Sequence, residues 1–174
     1  DITFVGLRGN IDTRIRKVQR GDCVGAVLAM SGLKRAALES HVTHPFEPAD
    51  MLPAPGQGAL AVEGRANDSR LAAYLAPLHD HATAAAVNCE RRVLSSLDAG
   101  CRAPVAVYAT VAGELLTCHA LVASPDGKRH VKAQSEKPVA QFEEAAMEIV
   151  AALEAAGADE IIAECRNPGS ASGS

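Results

Sequence analysis

Tryptophan is absent from this chain of 174 residues, and two tyrosines and three phenylalanines hold the aromatic share to 3%. Any core must therefore be packed from Ala, Val, Leu and Ile. Long apolar runs are missing too. The longest, Val24 to Met30, falls far short of the ~20 residues that a helical membrane span needs. No signal-peptide pattern opens the chain, so no membrane partner is expected. Cysteine occurs five times, at 23, 89, 101, 118 and 165. The odd count and irregular spacing argue against a disulfide framework, and no pair has the Cys-x-x-Cys spacing of a structural zinc site. The histidines are scattered, so no metal is assigned. Free thiols in a reducing compartment are expected. Walker and dinucleotide glycine motifs are absent. The net charge is −4, which argues against a nucleic-acid partner. An initiating Met is also lacking: Asp1 leads straight into Ile2–Val5. That run reads as a strand, so a fragment that begins inside a larger fold is expected.

Apolar residues are plentiful, at 48% against 22% charged, enough to bury a core and too many for a disordered chain. The length suits one ordinary domain or two small ones. Charge is unevenly placed. Residues 1–40 carry seven basic side chains (Arg8, Arg14, Arg16, Lys17, Arg20, Lys34, Arg35) against four acidic ones. Glu136 to Glu164 holds eight acids and one Lys. The basic front suits a small polyanion, which the acidic stretch would repel.

Along the chain, Ile2–Val5 reads as a short strand. Asn10 is placed to cap a helix in which Ile11, Ile15 and Val18 recur at helical spacing. Cys23–Met30 reads as a strand buried on both faces, and Ser31 as the cap of a helix running to about Ser40. This order is that of an α/β unit with parallel strands. Four prolines between His41 and Gly58 mark a linker. Ala59–Glu63 reads as a strand, and Asn67-Asp68-Ser69 starts a brief helix. From His81 a long helix is predicted, with Ala82, Ala86, Cys89, Val93 and Leu97 on one face, stopping at Ala99-Gly100. Alternation from Val105, a turn at Gly113-Glu114 and a second at Ser124-Pro125-Asp126-Gly127 predict three antiparallel strands. Phe142, Ala146, Ile149 and Leu153 mark a last helix closed by Gly157. The tail from Asn167 is expected to fray. The second half is therefore a small α+β domain.

Four segments could carry chemistry. Arg8-Gly9-Asn10, with Arg14, offers a glycine turn at a helix N-terminus flanked by guanidinium groups. That setting suits carboxylate or phosphate, and equally a solvated basic face. Gly32-Leu33-Lys34-Arg35 opens a helix after the second expected strand, where α/β ligands gather, though its charges also suit an ordinary helix surface. Cys101 sits on a glycine turn beside Arg102. That setting favours thiolate, against the usual role of cysteine as a small buried hydrophobe. Pro53 to Ala59 is either a plain linker or a hinge whose backbone approaches a ligand.

These segments together resemble one family. Leu7-Arg8-Gly9-Asn10 with Thr13-Arg14, Ala29 with Gly32-Leu33-Lys34-Arg35, Leu52-Pro53-Ala54 with Gly56-Gln57-Gly58-Ala59-Leu60, and Gly100-Cys101 with Pro104 follow the order and spacing of hydroxymethylbilane synthases (porphobilinogen deaminases). Ala99 and Arg102 depart from the commonest pattern without replacing the cysteine. The resemblance covers essentially the whole chain. It implies two lobes like those of a periplasmic binding protein, followed by a small α+β domain with a three-stranded antiparallel sheet. On that pattern residues 1–52 are the latter part of domain 2, residues 53–78 the hinge and return segment of domain 1, and residues 79–174 domain 3.

The resemblance implies a transferase of haem biosynthesis. It joins four porphobilinogen units head to tail, with loss of ammonia from each, to give linear hydroxymethylbilane. Each unit that loses ammonia becomes an electrophilic azafulvene, attacked by the free α-carbon of the growing chain. A dipyrromethane cofactor anchors that chain through a thioether to Cys101. Each ring brings two carboxylates, and the resemblance assigns Arg8, Arg14, Arg35, Arg65 and Arg91 to substrate or cofactor carboxylates, with Gln57 beside Arg8 and Arg14 near the cofactor. The family's catalytic Asp lies in an N-terminal portion that this chain does not include, so the chain alone is expected to be inactive. A monomer in the cytoplasm, or in a plastid, is implied. Two other readings fit the residues. One is a non-catalytic α/β module binding a small anion. The other is an enzyme using Cys101 as nucleophile with His119 or His130 as its partner.

Overall fold

A computed structural model of the protein describes residues 2–97 and 104–166. The chain divides into two compact units, Asp1–Phe46 and Glu47–Ser174.

In the first unit Asn10 is extended and its side-chain oxygen accepts from the Thr13 N–H, starting helix α1 (Ile11–Gln19). Helix α2 (Met30–Arg35) is shorter than the expected run to Ser40. Ala37 has a φ of 54°, a left-handed conformation that an α-helix does not accommodate. Gly32 and Leu33 are the buried residues of α2. A β-carbon on Gly32 would stand 2.7 Å from Ile11 Cδ1, so glycine lets the two helices meet.

The strands expected at Ile2–Val5 and Cys23–Met30 are not formed. Neither segment is laddered, and Phe4 (89% exposed) and Val24 (fully exposed) stand in solvent. The same correction applies in the second unit to Ala59–Glu63, where Leu60 and Val62 are exposed. An apolar run states a tendency, but a strand exists only against a hydrogen-bonding neighbour, and these segments find none among the described residues.

The second unit is built on the predicted sheet. Strands β1 (Val105–Ala112), β2 (Leu115–Ala123) and β3 (His130–Pro138) are antiparallel in the order β1-β2-β3. The turn before β3 closes where Gly127, at φ 71°, donates its N–H to the Ser124 carbonyl. Helix α3 (Ser69–Leu75) is capped by Asp68, whose carboxylate accepts from the Leu71 N–H. Helix α4 (His81–Ser96) is capped by Asp80. Helices α5 (Phe142–Ala155) and α6 (Ala158–Arg166) follow the sheet, divided by Gly157 at φ 93°.

One face of the sheet meets the helices. Cys89 and Val93 of α4, Val107 of β1, Leu116, Cys118 and Val122 of β2, and Ile149 and Leu153 of α5 are fully buried in one cluster. Aliphatic and sulfur side chains do the work expected of them in a chain without Trp. Ala82, expected on the α4 stripe, is exposed in the first turn, whereas Ala85 is buried. Strand β3 supplies less apolar surface. It is joined to α5 by Glu148, which accepts from Ser135 Oγ at 2.9 Å and pairs with Lys137 at 2.9 Å. Among the described residues no helix is long and apolar enough to cross a membrane.

Candidate functional site

The first unit builds its basic site from a turn. Gly9 has φ 121°, and a β-carbon there would lie 2.8 Å from Thr13 Cγ2, so conformation and space both require glycine. The turn aims the chain into α1, whose first N–H groups point out of the helix N-terminus. Two cations then bind the backbone of the same turn. Arg14 Nε donates to the Gly9 carbonyl at 2.8 Å, and Lys17 Nζ to the Arg8 carbonyl at 3.2 Å. Arg14 is half-buried and its guanidinium plane is thereby oriented, whereas Arg8 is exposed. Arg35 is exposed on the last turn of α2, three residues past the glycine that touches Ile11. A fixed guanidinium beside a helix N-terminus is a receptor for carboxylate oxygens.

The second unit holds the other predicted residues. Gln57 lies exposed in the turn after Pro53-Ala54-Pro55-Gly56. That turn is closed by the Gln57 N–H donating to the Ala54 carbonyl at 3.0 Å. Arg91 is exposed on α4. Arg65 pairs with Asp68 at 2.9 Å, which also holds the Asp68 carboxyl below its ordinary 3.8, after the larger effect of the Leu71 N–H. Cys101 lies outside the described residues, as does the expected helix stop at Ala99-Gly100. His119 stands on the sheet's helix-free face, paired across the strands with Tyr108 and Gln134, and His130 begins β3, exposed. The described residues contain no cluster of three or more metal-ligating side chains.

One residue was not anticipated. Glu90 is 5% exposed although it carries a carboxylate. Its Oε2 accepts the Gly56 N–H at 2.6 Å and its Oε1 accepts the Ala109 N–H at 2.8 Å. It forms part of the lining of a cavity of about 360 Å³ with Gln57, Gly58, Thr83, Tyr108 and Thr110. The sequence held a signal: position 90 follows Ala86 by four and precedes Val93 by three, so an acid occupies the buried stripe of α4. A buried charge demands hydrogen-bonding partners, and Gly56 in the Pro53–Gly58 loop and Ala109 on β1 each supply a backbone N–H.

The comparisons with known proteins agree on one family. The model described as "Porphobilinogen deaminase, dipyromethane cofactor binding domain" matches residues 1–73, and "Porphobilinogen deaminase, C-terminal domain" matches residues 84–155. The porphobilinogen deaminase of Paraburkholderia phymatum is 46% identical over 159 residues, which is 90% of this chain and 49% of that protein. That of Syntrophotalea carbinolica is 45% identical over 163 residues, 94% of this chain and 52% of the relative. That of Bordetella parapertussis is 45% identical over 158 residues, 91% and 50% respectively. The chain thus spans about half the length of the curated relatives it matches.

Proposed function

Because the chain belongs to the porphobilinogen deaminase family, we propose that it is the C-terminal portion of a hydroxymethylbilane synthase whose cofactor is held by a thioether to Cys101. The observation that carries this reading is the match to that family's cofactor-binding and C-terminal domains over most of the chain, with Cys101 inside the second match. The proposal extends to the domain pattern. Residues 1–52 would complete a lobe like that of a periplasmic binding protein, residues 53–78 would return to the other lobe, and residues 79–174 would form the cofactor-bearing domain. The working protein would be a cytoplasmic monomer.

The residues present suit a dipyrromethane, which is made from porphobilinogen units and bears their carboxylates. Arg14, fixed by the Gly9 carbonyl, would meet a carboxylate in a set orientation, and Arg8 would add a second guanidinium from the same turn. Arg35, Arg65 and Arg91 would serve carboxylates of the incoming unit and of the lengthening chain. Arg65 would then exchange Asp68 for substrate, a modest cost at an exposed pair. Gln57 would contribute a neutral donor. Cys101 would attack as thiolate, the nucleophilic form of cysteine, and its sulfur would become a neutral thioether once bonded. When bound, the dipyrromethane supplies the pyrrole terminus to which units are added.

The test is the intact mass of the full-length protein as purified, beside its Cys101→Ser variant. An added mass equal to a dipyrromethane, found only with Cys101 present, is expected. The bare polypeptide mass in both folded proteins would remove the thioether and favour a module that simply binds small anions.

A further inference from the structure

Strand β1 is an edge of the three-stranded sheet, since β2 lies on one side of it and no strand on the other among the described residues. An edge strand presents unpaired N–H groups that must be covered or hydrated. Two successive outward N–H groups of β1 are covered here by specific partners. The Val107 N–H donates to the Pro53 carbonyl at 3.1 Å, and the Ala109 N–H donates to Glu90 Oε1 at 2.8 Å. The other oxygen of the same carboxylate accepts the Gly56 N–H at 2.6 Å. The loop that begins at Pro53 is therefore attached to the sheet at two places, directly through its first carbonyl and indirectly through Glu90.

The chemistry of the second attachment requires a carboxylate. Gly56 and Ala109 both present N–H donors, and two donors cannot bond to each other. A group with an acceptor oxygen facing each way joins them, and ionised Glu has that pattern. Gln would offer one oxygen and turn an NH2 group against the remaining donor. Burial adds to the requirement, because water does not replace a lost partner readily at a residue only 5% exposed. Gly56, at φ 72°, and the Gln57 N–H bond to Ala54 keep the turn tight, so fixing Gly56 also fixes the residue after it.

We propose that Glu90 is a positioning residue. It fastens the Pro53–Gly58 loop, and Gln57 with it, to the β1 edge, so that loop, sheet and α4 behave as one piece. Arg91 follows Glu90 on α4 and shares that piece. The consequence for turnover rests on the proposed function, in which Gln57 and Arg91 meet ligand, but the attachment itself does not.

The first experiment is residue-resolved amide exchange on the full chain and its Glu90→Gln variant. We expect one of the two amides, Gly56 or Ala109, to lose about tenfold of its protection, the effect of one lost hydrogen bond, while Leu116 and Val122 in β2 keep theirs. Unchanged protection at both amides overturns the proposal. So does an equal loss at Leu116 and Val122, which would make Glu90 a general core residue. The near-isosteric Gln avoids the cavity that Ala would leave. The second experiment measures porphobilinogen turnover by the full-length protein carrying E90Q, Q57A or both. If Glu90 acts through the loop, the double variant is no slower than Q57A alone, whereas losses that multiply overturn the route through Gln57. If Q57A turns over normally while E90Q still releases an amide, the attachment stands and Gln57 leaves the site.

Discussion

Cysteine separates by location more than by type. Cys118 is fully buried on β2 and packs in the same cluster as Cys89 of α4. Its hydrogen bond with Cys89, and then its burial, hold the Cys118 thiol well above its ordinary value. Cys23 precedes the exposed Val24 and is only half-buried. Alkylation depends on both thiolate fraction and access. In the native protein at mildly alkaline pH, iodoacetamide should therefore modify Cys23 well before Cys118, and Cys118 should react only once denaturant opens the core. Peptide mapping by mass spectrometry reads both sites in one sample, and equal labelling of the two in native protein would show that the α4–β2 core opens readily. The same contrast separates Glu90 from the other acids. It was invisible to a reading that sorted charges to the surface, yet its place on the Ala86–Val93 stripe was in the sequence.

Helix α4 shows how a cap becomes a pH-dependent contribution to stability. The Asp80 carboxylate accepts the Thr83 N–H at 2.7 Å. That bond is the largest cause holding its pKa below the ordinary 3.8, with the Thr83 hydroxyl next. A depressed folded-state pKa means the cap stabilises the fold above the unfolded value, and the contribution is lost as pH falls through the folded value. Asp80→Ala should lower the melting temperature at neutral pH. Its difference from wild type should shrink as acid protonates the carboxyl. Thermal melts across the acid range test this, and a difference that stays constant would sink the argument. Glu148 works in the same direction between α5 and β3, its carboxyl held low chiefly by Lys137 and then by Ser135. Elements of this kind were legible in advance. The alternation from Val105 and the turn at Gly127 announced the sheet, and the spacing from His81 announced α4. Helix α6 was overlooked although Ala158, Ile161, Ile162 and Cys165 repeat at helical spacing and are all buried. The strands at Ile2–Val5, Cys23–Met30 and Ala59–Glu63 failed for a different reason. Their composition is local, but the ladder that makes a strand is not. Of the candidate site, the turn at Gly9 and the Arg14 anchor were readable as motif. The Glu90 bridge spans distant segments and no local pattern contains it.

At the scale of the whole chain, and among the described residues, the second unit contains nearly all of the buried core, and the first unit buries only Gly32 and Leu33. Large apolar side chains in the segments that failed to become strands stand open, among them Phe4, Val24, Val27, Leu60 and Val62. Apolar surface of that extent asks for a covering partner. The matched relatives are about twice the length of this chain, and their remaining half is the partner proposed here. Under the proposed function, a first unit without pairing strands would not hold the Arg8–Arg14 turn and Arg35 where the cofactor on Cys101 needs them, and catalysis by positioning fails when such distances drift. The 174-residue chain alone should therefore not turn over porphobilinogen. It should bind a dye specific for exposed apolar surface, and adding the remaining half of the protein as a separate chain should suppress the dye signal and bring activity with it. Release of ammonia from porphobilinogen measures the activity directly. Sustained release by the chain alone would mean that these residues suffice for the chemistry, and the division of labour between the two halves would have to be abandoned.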